Sequence, residues 1–308
     1  MQKQKVIAVV GPTSSGKSSL GIYLAQKLGG EVISADSRQV YKALNIGTGK
    51  VSKKEMAGVP HHLLSVASPK RQFTADDFVK QASKAMQKVE LPIVVGGTGF
   101  YVDTLLGRMS YPNVPPNPKL RARLEKKSVE ALFEMLKQKD PTRAKTIESK
   151  HKRRIIRALE IADSKLRQTT HARALRAARP SLTLASSSLA AQKYEVLWLG
   201  LNPAPKKLKN NIHKRLTARL KQGMIREAKQ LHKNGLSYKR MEDLGLEYRY
   251  LARLLQNKIS KQEFLEQLER EINKYAKRQY RWFKRNSDIT WVTSKAEALR
   301  LAKALISR

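Results

Sequence analysis

Residues Gly11-Pro-Thr-Ser-Ser-Gly-Lys-Ser18 match the pattern G-x-x-x-x-G-K-[ST] near the start of the chain. In such a loop the backbone N–H groups turn inward around phosphate oxygens, and the positive end of the following helix reinforces them. Lys17 is expected to add a point charge on the terminal phosphates, and the Ser18 hydroxyl to ligate Mg²⁺. Gly11, Pro12, Thr13, Ser14, Ser15 and Gly16 complete the expected cradle. Kinases, NTPases and diphosphate-using transferases all share this device, so the loop alone does not choose among them. The sequence has no separate Asn-Lys-x-Asp guanine-reading motif, which disfavours a GTPase.

Asp36, in SADSRQVYKALNIGTGK, directly follows a strand-like run. In a parallel sheet, residues just past a strand's carboxyl end face the ligand crevice, where the phosphate loop also opens. A carboxylate there serves as Mg²⁺ ligand or general base, or else merely holds an Asx turn or helix cap. Thr98, in GGTGFY, follows another strand-like run. Its hydroxyl either reaches the same crevice or caps the next helix.

These side chains need a scaffold, and the pattern of apolar runs indicates one. Lys5–Val10, Glu31–Ser34, Pro92–Val95 and Tyr194–Leu201 read as buried strands, with a late strand at Asp288–Val292. Lys17–Leu28, closed by Gly29 and Gly30, and amphipathic Thr74–Val89 read as helices. The alternation implies an α/β fold, a parallel sheet of the P-loop NTPase-like kind flanked by helices. The texture changes at the proline-rich YPNVPPNP near Tyr111, after which residues 119–165 are basic and helix-forming. Residues 166–193, rich in Ser, Ala and Arg, read as a flexible loop. The expected organisation is therefore residues 1–110 as the first part of the core, 111–193 as a helical insertion domain, and 194–308 as a mostly helical return to the core.

Lys plus Arg number 62 against 25 Asp plus Glu, a formal net charge of +37. Solubility alone asks for a net charge of roughly 2–8 in a small domain, so a polyanionic partner, nucleic acid first, is the better explanation. An apolar fraction of 41% suffices for a buried core. The absence of cysteine excludes disulfides, thiolate catalysis and Cys-ligated zinc. His61 and His62 follow Pro60 in an expected loop and lack a third ligand at metal spacing, so a structural role is expected. No apolar run approaches the ~18 residues of a spanning helix and no signal-peptide pattern opens the chain, so a cytoplasmic protein with no membrane partner is expected.

GPTSSGKS, VISADSRQVYKALNIGTGK, VPHHLL, FTADDF, VVGGTGFY and RRIIRALEI occur in an order and spacing that resembles the tRNA dimethylallyltransferase family. GLEYR and AKRQYRWFKR near the C-terminus are similar to its closing motifs. The resemblance spans nearly the whole chain, and its lack of cysteine matches the bacterial type, since eukaryotic relatives append a Cys/His zinc finger.

The resemblance implies transfer of a dimethylallyl group from dimethylallyl diphosphate to the exocyclic amine of the adenosine beside the tRNA anticodon, with Mg²⁺ assisting. It assigns the leaving diphosphate to Thr13–Ser18, the amine proton to Asp36, and contact with the amine or donor to Thr98. An arginine of HKRLTARLKQGM is expected to stabilise the leaving charge, Arg219 first and Arg215 as the alternative. Asp36, Ser37, Arg38 and Gln39 are implied contacts to tRNA, as are Gly245, Tyr248, Arg249 and Arg278. Arg153, Arg154 and Arg157 match the tRNA-contacting motif and leave Ile155 and Ile156 for a core, although Lys150, His151 and Lys152 replace a more acidic lead-in common in relatives. Trp282 and Phe283 are expected mainly in the core. One subunit suffices to bind the anticodon stem-loop, so a monomer is expected. The competing readings are a small-molecule enzyme, either an adenylate prenyltransferase or a nucleotide kinase, and a nucleic-acid-binding ATPase. A free-nucleotide enzyme has no use for a basic helical domain, which disfavours the first of these.

Overall fold

The β-branched run before the phosphate loop forms β1 (Gln4–Val10), whose last five residues are fully buried. The computed structural model describes residues 3–109, 112, 114–176 and 193–307, with backbone alone for 165–176. β2 (Glu31–Ser34), β3 (His61–His62), β4 (Pro92–Gly96), β5 (Tyr194–Gly200) and β6 (Thr290–Trp291) join β1 in one sheet of order β3-β2-β4-β1-β5-β6. Every pairing is parallel. β1 and β2 are consecutive in the chain but have β4 between them, so a crevice opens at the carboxyl ends of β1, β4 and β2. The late strand is shorter than its apolar run suggested, and the His pair forms an edge strand rather than a loop.

Helices cover both faces. α1 (Lys17–Leu28) buries Leu20, Ile22 and Leu24 against Ile7, Val9 and Ile93 on one face. After the short α2 (Lys53–Met56), α3 (Ala75–Met86) and α4 (Gly99–Leu105) cover the opposite face through Phe78, Met86 and Val102. Thr74 caps α3 in a reciprocal capping box with Asp77, which fixes where the predicted helix starts.

The chain divides into two compact units, one of Met1–Met109 with Ser187–Arg308 and one of Ser110–Ser186. In the second, α5 (Pro118–Glu125), α6 (Val129–Lys139), α7 (Pro141–Thr146) and α8 (Lys152–Arg176) share a core of Leu124, Leu132, Leu136, Ile155 and Leu159. α8 runs through residues 166–176, which corrects the expected loop there; helix-compatible Arg, Gln, Ala and Leu continue the helix past Lys165. The rest of the expected loop, residues 177–192, lies outside the described residues. The first unit continues with α9 (Pro205–Lys221), α10 (Met224–Lys233), α11 (Tyr238–Leu244), α12 (Leu246–Leu255), α13 (Lys261–Phe283) and α14 (Lys295–Ile306). Among the described residues no helix is long and apolar enough to cross a membrane.

Glu160 ties the helical unit together. Its buried carboxylate accepts the Asn117 N–H, the Arg121 guanidinium at 2.8 and 3.0 Å, and Arg157. Burial alone would push this carboxyl up, but the hydrogen bonds from Arg121, the Asn117 amide and Arg157 outweigh it and hold it below the usual range. A depressed pKa contributes stability above the unfolded value that is lost as pH falls through the folded one. Glu160→Gln is expected to destabilise this unit by about 2–3 kcal/mol at neutral pH, read as faster hydrogen exchange in α5 and α8. The difference from the parent should shrink once pH falls below the ordinary glutamate value of about 4.3.

Candidate active site

The loop after β1 is built by close approach. Gly11 adopts φ 141°, and a Cβ there would stand 2.3 Å from the Leu201 carbonyl oxygen, so only glycine lets the chain pass beside the end of β5. Gly16 caps α1, whose first N–H groups have no intrahelical acceptor and carry the positive end of the helix dipole. The Thr13 N–H donates to Gln279 Oε1 at 2.8 Å, while Gln279 Nε2 donates to the Gly97 carbonyl at 2.8 Å. A buried side chain of α13 thereby links the loop to the end of β4.

A cleft at these strand ends is lined by Thr13, Lys17 and Ser18 on one side, by Asp36, Gln39 and Thr48 on another, and by Arg215, Tyr275 and Gln279. A wider cleft shares Lys17, Ser18, Val51 and Arg215 with it and adds Tyr23, Asn211 and Lys214. Lys17 Nζ donates to the Pro12 carbonyl, and burial followed by the charge of Arg215 pushes its ammonium down to about 7. Arg215 donates to the Gly49 carbonyl at 2.9 Å and reaches Thr13 Oγ1 at 3.4 Å. Burial and then the neighbouring Arg219 also disfavour its charged form. Neither cation makes an ion pair among the described residues. The Ser15 hydroxyl is buried and has no hydrogen-bond partner among the described residues. Two repelling cations, free helix N–H groups and an unsatisfied hydroxyl together form a site for a polyvalent anion.

Asp36 Oδ1 accepts the Arg38 N–H at 2.8 Å and the Gln39 N–H at 3.2 Å, so it does hold an Asx turn. Oδ2 makes no hydrogen bond among the described residues. The carboxylate is thus both anchored and available in the cleft. Thr98 sits at the start of α4 but its side chain does not cap it; Oγ1 accepts the Ser37 N–H at 3.1 Å instead. Tyr275 closes this wall. Burial and then the Asp36 charge push its hydroxyl up to about 12, while Arg38 and a hydrogen bond with Thr98 pull the other way, so it remains a neutral donor at ordinary pH.

For residues that hold a metal, Ser18 and Asp36 offer hard oxygen donors in the same cleft. Among the described residues no group of three His, Asp or Glu side chains stands together to form an all-protein cage. Such a donor set fits Mg²⁺, which keeps its waters and binds through one or two protein oxygens plus substrate phosphates.

Several expected residues stand elsewhere. Arg215, not Arg219, lines the cleft; Arg219, one turn along α9, is buried and donates to the Gly47 carbonyl at 2.8 Å and to Glu247 at 3.0 Å. Helical spacing of four leaves such a pair unresolved in sequence. Tyr248 is corrected from a nucleic-acid contact to a core residue, its hydroxyl donating to Glu227 at 2.8 Å. Gly245, at φ 74°, joins α11 to α12 with the guanidinium groups of Arg38 and Arg249 just beyond it. Arg249 is exposed and bonded to Glu242. In the helical unit Ile155 and Ile156 are buried, and Arg153 and Arg154 are exposed. Arg157 is instead engaged with Glu160, three residues on in RRIIRALEI, and with the Val114 carbonyl. Arg278 is exposed, with its guanidinium carbon 5.8 Å from the Tyr275 ring centroid. Phe283 is core, whereas Trp282 donates to Asp103 at 2.7 Å. His62 bonds Glu31 at 2.6 Å, and His61 bonds the Val59 carbonyl and lines the cleft.

Tyr275 and Gln279 were not singled out as site residues, although their spacing of four on one helix face was visible in YAKRQ. Glu227 had no signal at all, since its partners are backbone amides far away in the chain.

A family model described as IPP transferase matches residues 39–286. A protein of Treponema denticola named tRNA dimethylallyltransferase 2 is 39% identical over 94% of this chain and 96% of its own length. A Geotalea uraniireducens protein named tRNA dimethylallyltransferase 1 is 35% identical over 98% and 96% of the two chains. Among solved structures, a tRNA isopentenylpyrophosphate transferase of Bacillus halodurans aligns with a TM-score of 0.69 and 30% identity, over 99% of this chain and 96% of that one. A eukaryotic dimethylallyltransferase captured acting on tRNA aligns with a TM-score of 0.79 and 26% identity, over 99% of this chain and 80% of that one.

The two arginines of α9 are separable by stability. Arg219→Ala leaves Glu247 buried without its partner and is expected to cost about 3–5 kcal/mol in chemical denaturation. Arg215→Ala removes a self-repelling cation and is expected to change stability by under about 1 kcal/mol. Equal losses in the two variants would contradict this division.

Proposed function

The chain belongs to the IPP transferase family, and we propose that its cleft moves a dimethylallyl group from dimethylallyl diphosphate to the exocyclic amine of the adenosine beside the anticodon in tRNA. That the protein is a tRNA prenyltransferase follows from its named relatives along nearly its full length. The observation that carries the finer assignment is the meeting of Asp36 with Thr13, Lys17, Ser18 and Arg215 in one cleft. A kinase or adenylate prenyltransferase is not favoured, because full-length likeness extends through the basic helical unit.

In this reading the diphosphate lies in the loop Thr13–Ser18, with the N-terminal amides of α1, Lys17 and Arg215 around its oxygens. The amine nitrogen forms a bond to the allylic carbon as the carbon–oxygen bond to diphosphate breaks. An aryl amine is a weak nucleophile, and positive charge builds on it during attack; Asp36 accepts the proton that the nitrogen sheds. The charge accumulating on the leaving group meets fixed N–H dipoles and two cations that need no reorganisation. Thr98 and Tyr275 present hydroxyls beside Asp36 and orient the adenine amine. Mg²⁺, where bound, would be held by Ser18 and would supply further charge to the diphosphate. Arg38, Arg249 and Arg278 of the first unit supply cations for tRNA, and Arg153 and Arg154 do so within the helical unit, in keeping with a net charge of +37. One chain carries all these residues, so a monomer suffices.

The direct test is incubation with dimethylallyl diphosphate, Mg²⁺ and unmodified tRNA, followed by nucleoside mass spectrometry. An adenosine heavier by one dimethylallyl group in the anticodon loop is expected; an unchanged nucleoside profile would overturn the reading. Asp36→Ala is expected to lower turnover by roughly 10²–10⁴ with tRNA affinity held within about twofold.

Lys17 gives a pH prediction. Its ammonium sits near 7 in the free protein, and a bound diphosphate raises it. At pH 8.5 the free side chain is mostly neutral and the complex protonated, so binding takes up a proton and weakens as pH rises. Calorimetry of inorganic diphosphate binding in Tris and HEPES should report this uptake as the difference in protons exchanged between the parent and Lys17→Met.

A further inference from the structure

The Glu227 carboxylate at the start of α10 collects three consecutive backbone amides from a distant loop. Its Oε2 accepts the N–H groups of Asn45 at 3.0 Å and Ile46 at 2.7 Å, and its Oε1 accepts that of Gly47 at 2.9 Å. The buried Tyr248 hydroxyl fills the remaining position on Oε1 at 2.8 Å. Three N–H groups in a row form an anion-binding nest, here filled by a side chain of the same protein.

The opposite side of that loop faces the cations of α9. The Gly47 carbonyl accepts from Arg219 at 2.8 Å, and the Gly49 carbonyl accepts from Arg215 at 2.9 Å. A Cβ on Gly49, at φ 58°, would stand 2.3 Å from the nearer Arg215 nitrogen, so the guanidinium lies directly on the loop backbone. The Arg219 nitrogen that donates to Gly47 also donates to Glu247 at 3.0 Å. The loop therefore has its N–H groups fixed by Glu227 and its carbonyls aimed at two arginines, only one of which reaches the cleft. Glu227 does not line that cleft.

We propose that Glu227 is a positioning residue for diphosphate departure: by clamping the Asn45–Gly47 amides it fixes the Gly49 carbonyl that aims Arg215 at the leaving group. This rests on the prenyl-transfer reading above. Without the clamp the loop amides turn to water, the Gly49 carbonyl shifts, and Arg215 loses its fixed direction even though it remains in place. Electrostatic stabilisation of a leaving group depends on such preorganisation, so the effect falls on kcat and on diphosphate affinity, not on tRNA affinity.

The test is a double-mutant cycle of Glu227→Gln with Arg215→Gln. In the parent background, Glu227→Gln is expected to lower kcat about 10–50-fold and weaken inorganic diphosphate binding about tenfold, with tRNA affinity within about twofold. In the Arg215→Gln background the same substitution is expected to add less than about twofold to either quantity. Equal losses in both backgrounds, or a loss of tRNA affinity parallel to kcat, would overturn the proposal. If Glu227→Gln does not fold, Tyr248→Phe keeps the buried ring and removes one arm of the clamp. It is expected to lower kcat about two- to fivefold with Arg215 present and not without it; the same drop in both would again overturn the proposal. Should the parent protein fail to prenylate tRNA, the functional reading falls, while the diphosphate-binding arm still tests the coupling of Glu227 to Arg215.

Discussion

Lys17 and Arg215 are held beside each other in a partly buried cleft with no carboxylate paired to either, among the described residues. Like charges in such surroundings repel and are poorly solvated, so the arrangement is unfavourable until an anion arrives. Much of the first unit exists to hold that arrangement. β1 delivers the phosphate loop to the middle of the sheet, α1 points its N-terminus at the same place, and Gln279 straps the loop to the end of β4. On the other side, a loop fixed by Glu227 and backed by Arg219 gives Arg215 its seat. Anion binding converts stored repulsion into attraction, and in a prenyl donor that anion is also the leaving group.

Asp36 shows how a residue serves two ends. One carboxylate oxygen is committed to the turn after β2. The other oxygen is left for chemistry. Had the carboxylate paired with Lys17, the cleft would have lost a free carboxylate oxygen and one of its two unpaired cations. The neighbouring hydroxyl of Tyr275, bonded to Thr98, is neutral and leaves this balance unaltered.

Features governed by short-range rules were legible in the sequence. The phosphate loop, the flanking β1 and α1, the start of α3 at Thr74 and the burial of Ile155 and Ile156 each follow from local spacing and residue type. Legibility failed where the deciding contact is long-range. Arg215 and Arg219 share one helix face, and only the position of Glu247, 28 residues on, tells which is buried. Tyr248 reads as an exposed aromatic in a polar motif until Glu227 is found beneath it. The composition of residues 166–176 suggested a loop, yet nothing there breaks a helix already under way from Lys152. The family resemblance located the segments that matter; the geometry decided which side chain in each segment faces the cleft.

In the proposed function the phosphate loop and Arg215 together grip the diphosphate of a prenyl donor beside Asp36. A crystal structure with an unreactive thio-analogue of dimethylallyl diphosphate tests this most directly. Diphosphate oxygens are expected within hydrogen-bonding distance of the α1 N-terminal amides, Lys17 and Arg215, with the allylic carbon on the side of Asp36. A diphosphate bound away from Arg215, or an allylic carbon directed away from Asp36, would contradict it.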